Sequence, residues 1–182
     1  MQNQPLTACI GKKILEGVER TDHLIQLVPP DQLDWRPSQR LSPLTPPAVD
    51  MGHLLGHLLD CIAGICAALA AAFPVDLAAF SRLRMLPVNF SCPPQDARDR
   101  IASYSQCVER GFDICTDSAL AQKVPTVFVP EGEELLTLLL GNFEHLTNHK
   151  YQLFFYLKTL GIPVKSADLY QWRASSGPGP TE

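Results

Sequence analysis

The sequence predicts an all-α protein, a four-helix bundle with long connections between helices two and three and between helices three and four. Three observations predict it. Sixteen prolines are placed so that none falls within 6–28, 48–73, 95–124 or 131–162. Proline in a helix interior removes a hydrogen bond and clashes with the preceding turn, so long proline-free windows bounded by prolines are helix candidates. Inside those windows apolar residues recur at helical spacing, and alternating β-branched runs are few, which favours helices packed on helices. At 182 residues the chain is one domain by length. We expect the bundle to span 1–173 and the Gly/Ser/Pro-rich tail, 174–182, to be flexible.

In the first window Ile10, Ile14, Val18, Ile25 and Val28 form the apolar stripe, with Thr7 as the expected N-cap. The second is expected to open at Thr45-Pro46-Pro47, a capping residue followed by prolines that suit a first turn. Residues 74–92 join the second and third helices, with a short extra helix foreseen over Ala-Ala-Phe-Ser-Arg-Leu-Arg-Met-Leu. The third window carries Ala97, Ile101, Tyr104, Val108, Phe112 and Cys115 on one face. Val124 to Val129 reads as an extended loop laid against the bundle. The fourth helix is expected from Glu131 or Glu133, where acids suit a helix N-terminus. It runs through Leu135, Leu138, Asn142, His145, His149, Leu153 and Tyr156 to a stop at Gly161 and Pro163.

Composition narrows the function. An apolar fraction of 46% and a charged fraction of 19% are those of a globular protein. A formal charge of -4 offers no basic footprint, so nucleic acid is not an expected partner. Met1 to Lys13 lacks the apolar core of a signal peptide, which predicts a cytoplasmic protein. The six cysteines form no CxxC pair and read as small buried hydrophobes of a reducing compartment. Leu54 to Phe73 is long enough to cross a bilayer, yet it contains His57 and Asp60 and has no basic flank. We read it as a helix enclosed by neighbours. Because it is apolar on more faces than one bundle needs, a homodimer is expected.

Chemistry is concentrated in the histidines. His145 and His149 lie four apart on the apolar stripe of the fourth helix, so both imidazoles reach one face. That is the spacing at which two rings share one metal ion. His53 and His57 repeat it on the second helix. Random placement of five histidines in a chain of this length would produce only about 0.1 such pairs. The bland alternative is a core-packed pair with a separate hydrogen-bond partner for each ring. Asp50, His53 and Cys61 share the approximate stripe of His57 and are further candidates, His53 foremost as an extra ligand. Glu144, beside His145, and Asp60, nearly a turn beyond His57, are the candidate acid or base groups, though carboxylates so placed more often face water or support a ligand histidine. His23, with no partner pattern, reads as surface, and Trp35 and Trp172 as packing anchors at the bundle ends.

His145-Leu-Thr-Asn-His149-Lys-Tyr-Gln152-Leu-Phe-Phe-Tyr156-Leu-Lys-Thr-Leu-Gly161 resembles the last helix of DinB-like proteins, approximately HxxxHRGQL followed by YLRxLG. Met51-Gly-His-Leu-Leu-Gly-His57-Leu is similar to that superfamily's second helix, and Leu33-Asp-Trp-Arg-Pro37 to its turn between helices one and two. The resemblance spans roughly 6–170 and rests on the order and spacing of the three motifs. It implies an up-down-down-up bundle with one divalent ion, zinc or nickel foremost and manganese or iron next, on His57, His145 and His149. It also implies a metal-dependent hydrolase or a transferase of low-molecular-weight thiols acting on a small molecule. A non-catalytic, metal-stabilised binding or stress-response module is the alternative. Lys150 and Tyr151 stand where the superfamily often has Arg-Gly, and Asn148 where a further histidine is common. Those departures alter the surroundings of the site and leave the three ligands in place.

Overall fold

Among the residues described by the computed structural model, 5–37, 49–126 and 129–170, four long helices carry the fold. They are α1 (Leu6–Gln26), α2 (Met51–Ala72), α3 (Pro94–Ile114) and α4 (Leu135–Thr159). A short α5 (Ser166–Tyr170) follows. The extra helix foreseen before α3 is a 3-10 segment, Ala78–Met85. The third helix stops earlier than its proline-free window: Cys115 is extended and a 3-10 turn, Asp117–Ala121, follows. β1 (Lys123–Val124) pairs antiparallel with β2 (Glu133–Glu134), so the expected loop is partly a small hairpin, and α4 begins at Leu135 rather than at Glu131 or Glu133.

Helix starts obey hydrogen-bond demand more than residue type. The first N–H groups of a helix have no partner within it. In α1 they are met from a distance: Asp117 accepts from the backbone N of Leu6 (3.0 Å) and Thr7 (2.9 Å) and from the Thr7 hydroxyl (2.9 Å). Thr7 is therefore inside the helix, not its cap. α2 is capped by Asp50, which accepts from the backbone N of His53. Trp35 and Leu33 accept from Met51 and Gly52, both at 2.8 Å, which gives the Leu33–Pro37 stretch a role as the lid of this helix. The predicted start at Thr45-Pro46-Pro47 lies outside the described residues, as do the tail 174–182 and Trp172. α4 closes at Gly161, whose φ of 82° is the left-handed conformation that suits glycine, while Ile162 N reaches back to Leu157 O at 3.0 Å.

Contacts fix the direction of each helix pair. Gly11 meets Phe112 and Asp22 binds Arg98, so α1 and α3 are antiparallel. Gly64 meets Asn142 and His57 meets His149, so α2 and α4 are antiparallel too. Cys66 bonds Tyr104 O and Leu69 packs on Gly111, which makes α2 and α3 parallel. Gly17 packs on Phe143, and Arg20 lies near Lys150, as a parallel α1 and α4 require. These directions are consistent with an up-down-down-up course.

α2 is the core helix. Leu54, Leu55, Leu58, Leu59, Ile62, Ile65 and Leu69 are each fully buried, and each such side chain contributes roughly 1.5–3 kcal/mol by leaving water. By length and composition α2 passes as a membrane span, but 67% of its most apolar window is buried inside the bundle. Most of its unusual apolarity is thus satisfied within one chain. Cys61, Cys66, Cys92, Cys107 and Cys115 are buried as expected, whereas Cys9 is exposed.

Candidate metal centre

The antiparallel pairing of α2 and α4 brings His57 face to face with His145 and His149 near one end of the bundle. His57 Nε2 lies 3.1 Å from both His145 Nε2 and His149 Nε2. The three rings meet edge to face, with centroids 4.3 to 4.9 Å apart. Their ligand atoms all fall within 4.8 Å of one another. His57 and His149 are half-buried and His145 is exposed, so the cluster is open to solvent on the His145 side.

Tautomers follow from the hydrogen bonds behind the rings. Asp60 is an acceptor only; it takes the Asn89 amide N–H at 3.0 Å, which turns Asn89 Oδ1 toward His57 Nδ1 at 2.5 Å. His57 must therefore donate from Nδ1 and keep its lone pair on Nε2. A second chain does the same for His149. Val49 O accepts from the Tyr156 hydroxyl (3.0 Å), which accepts from Gln152 Nε2 (3.1 Å), whose Oε1 accepts from His149 Nδ1 (2.8 Å). Two Nε2 lone pairs consequently face each other at 3.1 Å, a repulsion that a shared metal ion or a shared proton relieves. Burial, together with repulsion from His57 and His145, holds the His149 ring below its ordinary 6.5 against the opposing pull of Gln152. A ring that resists protonation is the form that ligates metal.

The donor set fits one divalent ion. Three imidazole nitrogens within 4.8 Å of one another, two pairs of them at 3.1 Å, could close on one ion. Imidazole nitrogen suits zinc, nickel, iron and copper more than it suits calcium or magnesium.

The other candidates are placed elsewhere. His53 is exposed and engaged by Asp50, Nδ1 to Oδ1 at 2.7 Å, and Asp50 also takes Arg36 at 3.6 Å. Neither belongs to the cluster. Cys61, one turn after His57, is buried and outside the cluster; burial, with the nearby Asp60 carboxylate, pushes its thiol up to about 12, which disfavours a thiolate ligand. Asp60 is held by Asn89 and acts through it on His57, and Glu144 is exposed on α4, outside the cluster. Lys150, at the departure from the resembled motif, is buried toward Arg20 and Lys13 of α1, and burial foremost brings its amine down to about 8. His23 is not a free surface residue: it pairs with Asp168 of α5 at 2.8 Å. Trp35 packs edge-on against Tyr156, 5.3 Å between centroids, as a packing anchor should.

Two supporting residues escaped the sequence reading. Asn89 lies 32 positions from His57 in a connection with no pattern, so no spacing could reveal it. Gln152 was legible in principle, because a residue three positions after a helical histidine shares its face.

Compared by sequence, the chain matches no protein-family model and no curated protein. Compared by structure, it is similar to the crystal structure of a DinB-like protein, YjoA, from Bacillus subtilis. The TM-score is 0.59 at 15% identity, covering 84% of this chain and 92% of that one. The chain thus has a DinB-like fold.

Proposed function

We propose that this DinB-like bundle holds one divalent metal ion on Nε2 of His57, His145 and His149 and is a metal-dependent enzyme, a hydrolase or a thiol S-transferase, acting on a small molecule. The observation that carries the reading is the convergence of three Nε2 atoms, two of them with the tautomer of a ligand already set by the hydrogen bonds behind. Three protein ligands leave open coordination positions, the arrangement of a catalytic rather than a closed structural site. An ion held there would acidify a bound water or thiol. The chain's own contribution is orientation. Asn89 and Gln152 hold two rings in register, while the exposed His145 side leaves an approach for substrate.

A specific observation favours a second reading, the non-catalytic metal-stabilised module. Asp60 is turned into supporting His57 and Glu144 lies outside the cluster, so no carboxylate among the described residues stands ready as general acid or base. One experiment separates the two. Metal content of the purified protein is measured first, followed by turnover on a panel of esters and on thiols paired with electrophiles. Stoichiometric metal with turnover lost in His57→Ala supports the enzyme; stoichiometric metal with no turnover on either panel supports the module; no metal uptake defeats both.

A further inference from the structure

The α2–α4 pair that carries the histidines also carries a cavity that none of the three lines. The cavity, of 680 Å³, is floored by Gly64, Ala67, Ala68 and Ala71 and bounded by Leu138 and Asn142, with the β1–β2 hairpin on its far side. Its volume is that of a small-molecule pocket. Register ties it to the histidines. On α2, His57, Gly64, Ala67 and Ala71 recur at steps that keep one face, and on α4 His149, His145, Asn142 and Leu138 do the same. Asn142 is three residues from His145, about 4.5 Å of helix rise.

We infer that this cavity receives the uncharged hydrocarbon body of the small molecule whose polar head meets the histidines, so that the preferred ligands are short alkyl or aryl compounds carrying a thiol, hydroxyl or ester head. This rests on the metal-centre reading for the head and on the cavity alone for the body. Asn142 marks the junction. Its Nδ2 donates to Leu138 O at 2.8 Å, and its Oδ1 lies where a side chain at Gly64 would stand, 2.0 Å from an added Cβ. The absence of a side chain at position 64 is thus what lets the amide lie across the groove, polar at the point where the apolar body ends. Beyond it the floor is alanine, which keeps the space open where leucine would fill it. Among the described lining residues the one charged group is Glu133, at the hairpin end. A carboxylate at the far tip of a ligand would face that side chain, which is why the body is assigned as uncharged.

The test uses the full chain in two forms. Straight-chain 1-alkanols from butanol to octanol are titrated calorimetrically into metal-free protein, and alkanethiols of the same lengths into cobalt(II)-loaded protein, followed by the thiolate-to-cobalt absorption band. Expected is a fall in Kd of about threefold to fourfold per added methylene in both series. Ala67→Phe, which fills the floor, should flatten both series while cobalt still loads. Alkanols that bind no tighter with length overturn the cavity assignment whatever the metal does. Length-dependent alkanol binding with no cobalt uptake overturns the delivery of the head to the histidines and defeats the metal reading at the same time. Should Ala67→Phe fail to fold, the native length series decides alone. An unchanged slope in a folded Ala67→Phe places the binding elsewhere and refutes the proposal.

Discussion

His57 and His149 are controlled through the nitrogen that would not touch a metal. Outer partners of this kind fix ring orientation and raise ligand basicity, and removing one typically weakens metal binding about 10–100-fold. Gln152→Ala should do so in a chelator competition, and Gln152→Glu, which retains an acceptor, should restore most of the loss. At Asn89 the clean deletion is glycine, because its φ of 57° is left-handed and alanine would add strain of its own. Asn89→Gly is expected to weaken binding to a similar extent; an affinity equal to that of the native protein would show the amide to be a bystander. Acid acts on the same rings. The folded pKa of His149 is depressed below 6.5, chiefly by burial, so the unfolded chain binds the proton more readily than the native one. The stability tied to this ring is complete above pH 6.5 and lost as pH falls through the lower folded value. Melting of the metal-free protein between pH 7.5 and 5 should show a slope that His149→Gln reduces.

Between residue and bundle, the informative element is the start of α2. Gly52 and Gly56, on either side of His53, let the connection that precedes α3 pass directly over the helix. Asn89 N bonds Gly56 O at 3.3 Å and Cys92 N bonds Gly52 O at 3.0 Å. A Cβ on Gly56 would stand 1.9 Å from Phe90 O, which is backbone and cannot swing away. Gly56→Ala is therefore expected to cost about 1–3 kcal/mol of stability and to displace Asn89 from His57. It should lower both the denaturation midpoint and metal affinity, and a variant that lost stability with metal affinity intact would uncouple this packing from the site. Here sequence reading reaches its limit for a physical reason. Helices and histidine pairs are periodic features, so prolines and i, i+4 spacing exposed α1 to α4, His145 and His149. The placement of Asn89 depends on how closely two backbones approach, and a glycine in a helix does not announce what will lie on it. Thr7 misled for a related reason: a hydroxyl near a helix start resembles a cap until a distant carboxylate, Asp117, takes that duty.

At the scale of the molecule, the three histidines join two helices that are far apart in sequence and antiparallel in space, with His57 and His149 separated by 92 positions. An ion shared between them would bind the native bundle and have no preformed site in the unfolded chain, so binding free energy becomes folding free energy. At metal concentrations one hundredfold above Kd, the stabilisation is about 2.7 kcal/mol. For a chain of this size that corresponds to a rise in Tm of about 5 to 10 °C. The shift should grow with the logarithm of zinc or nickel concentration, vanish on chelation, and vanish in His57→Ala and in His145→Ala alike, because each removes one corner of a three-cornered site. Magnesium, which favours oxygen ligands, should leave Tm unchanged at the same concentrations. A Tm that responds equally to zinc in the native protein and in both variants would locate the bound ion away from the α2–α4 junction. A Tm insensitive to every transition metal would make the facing lone pairs of His57 and His149 a purely structural contact.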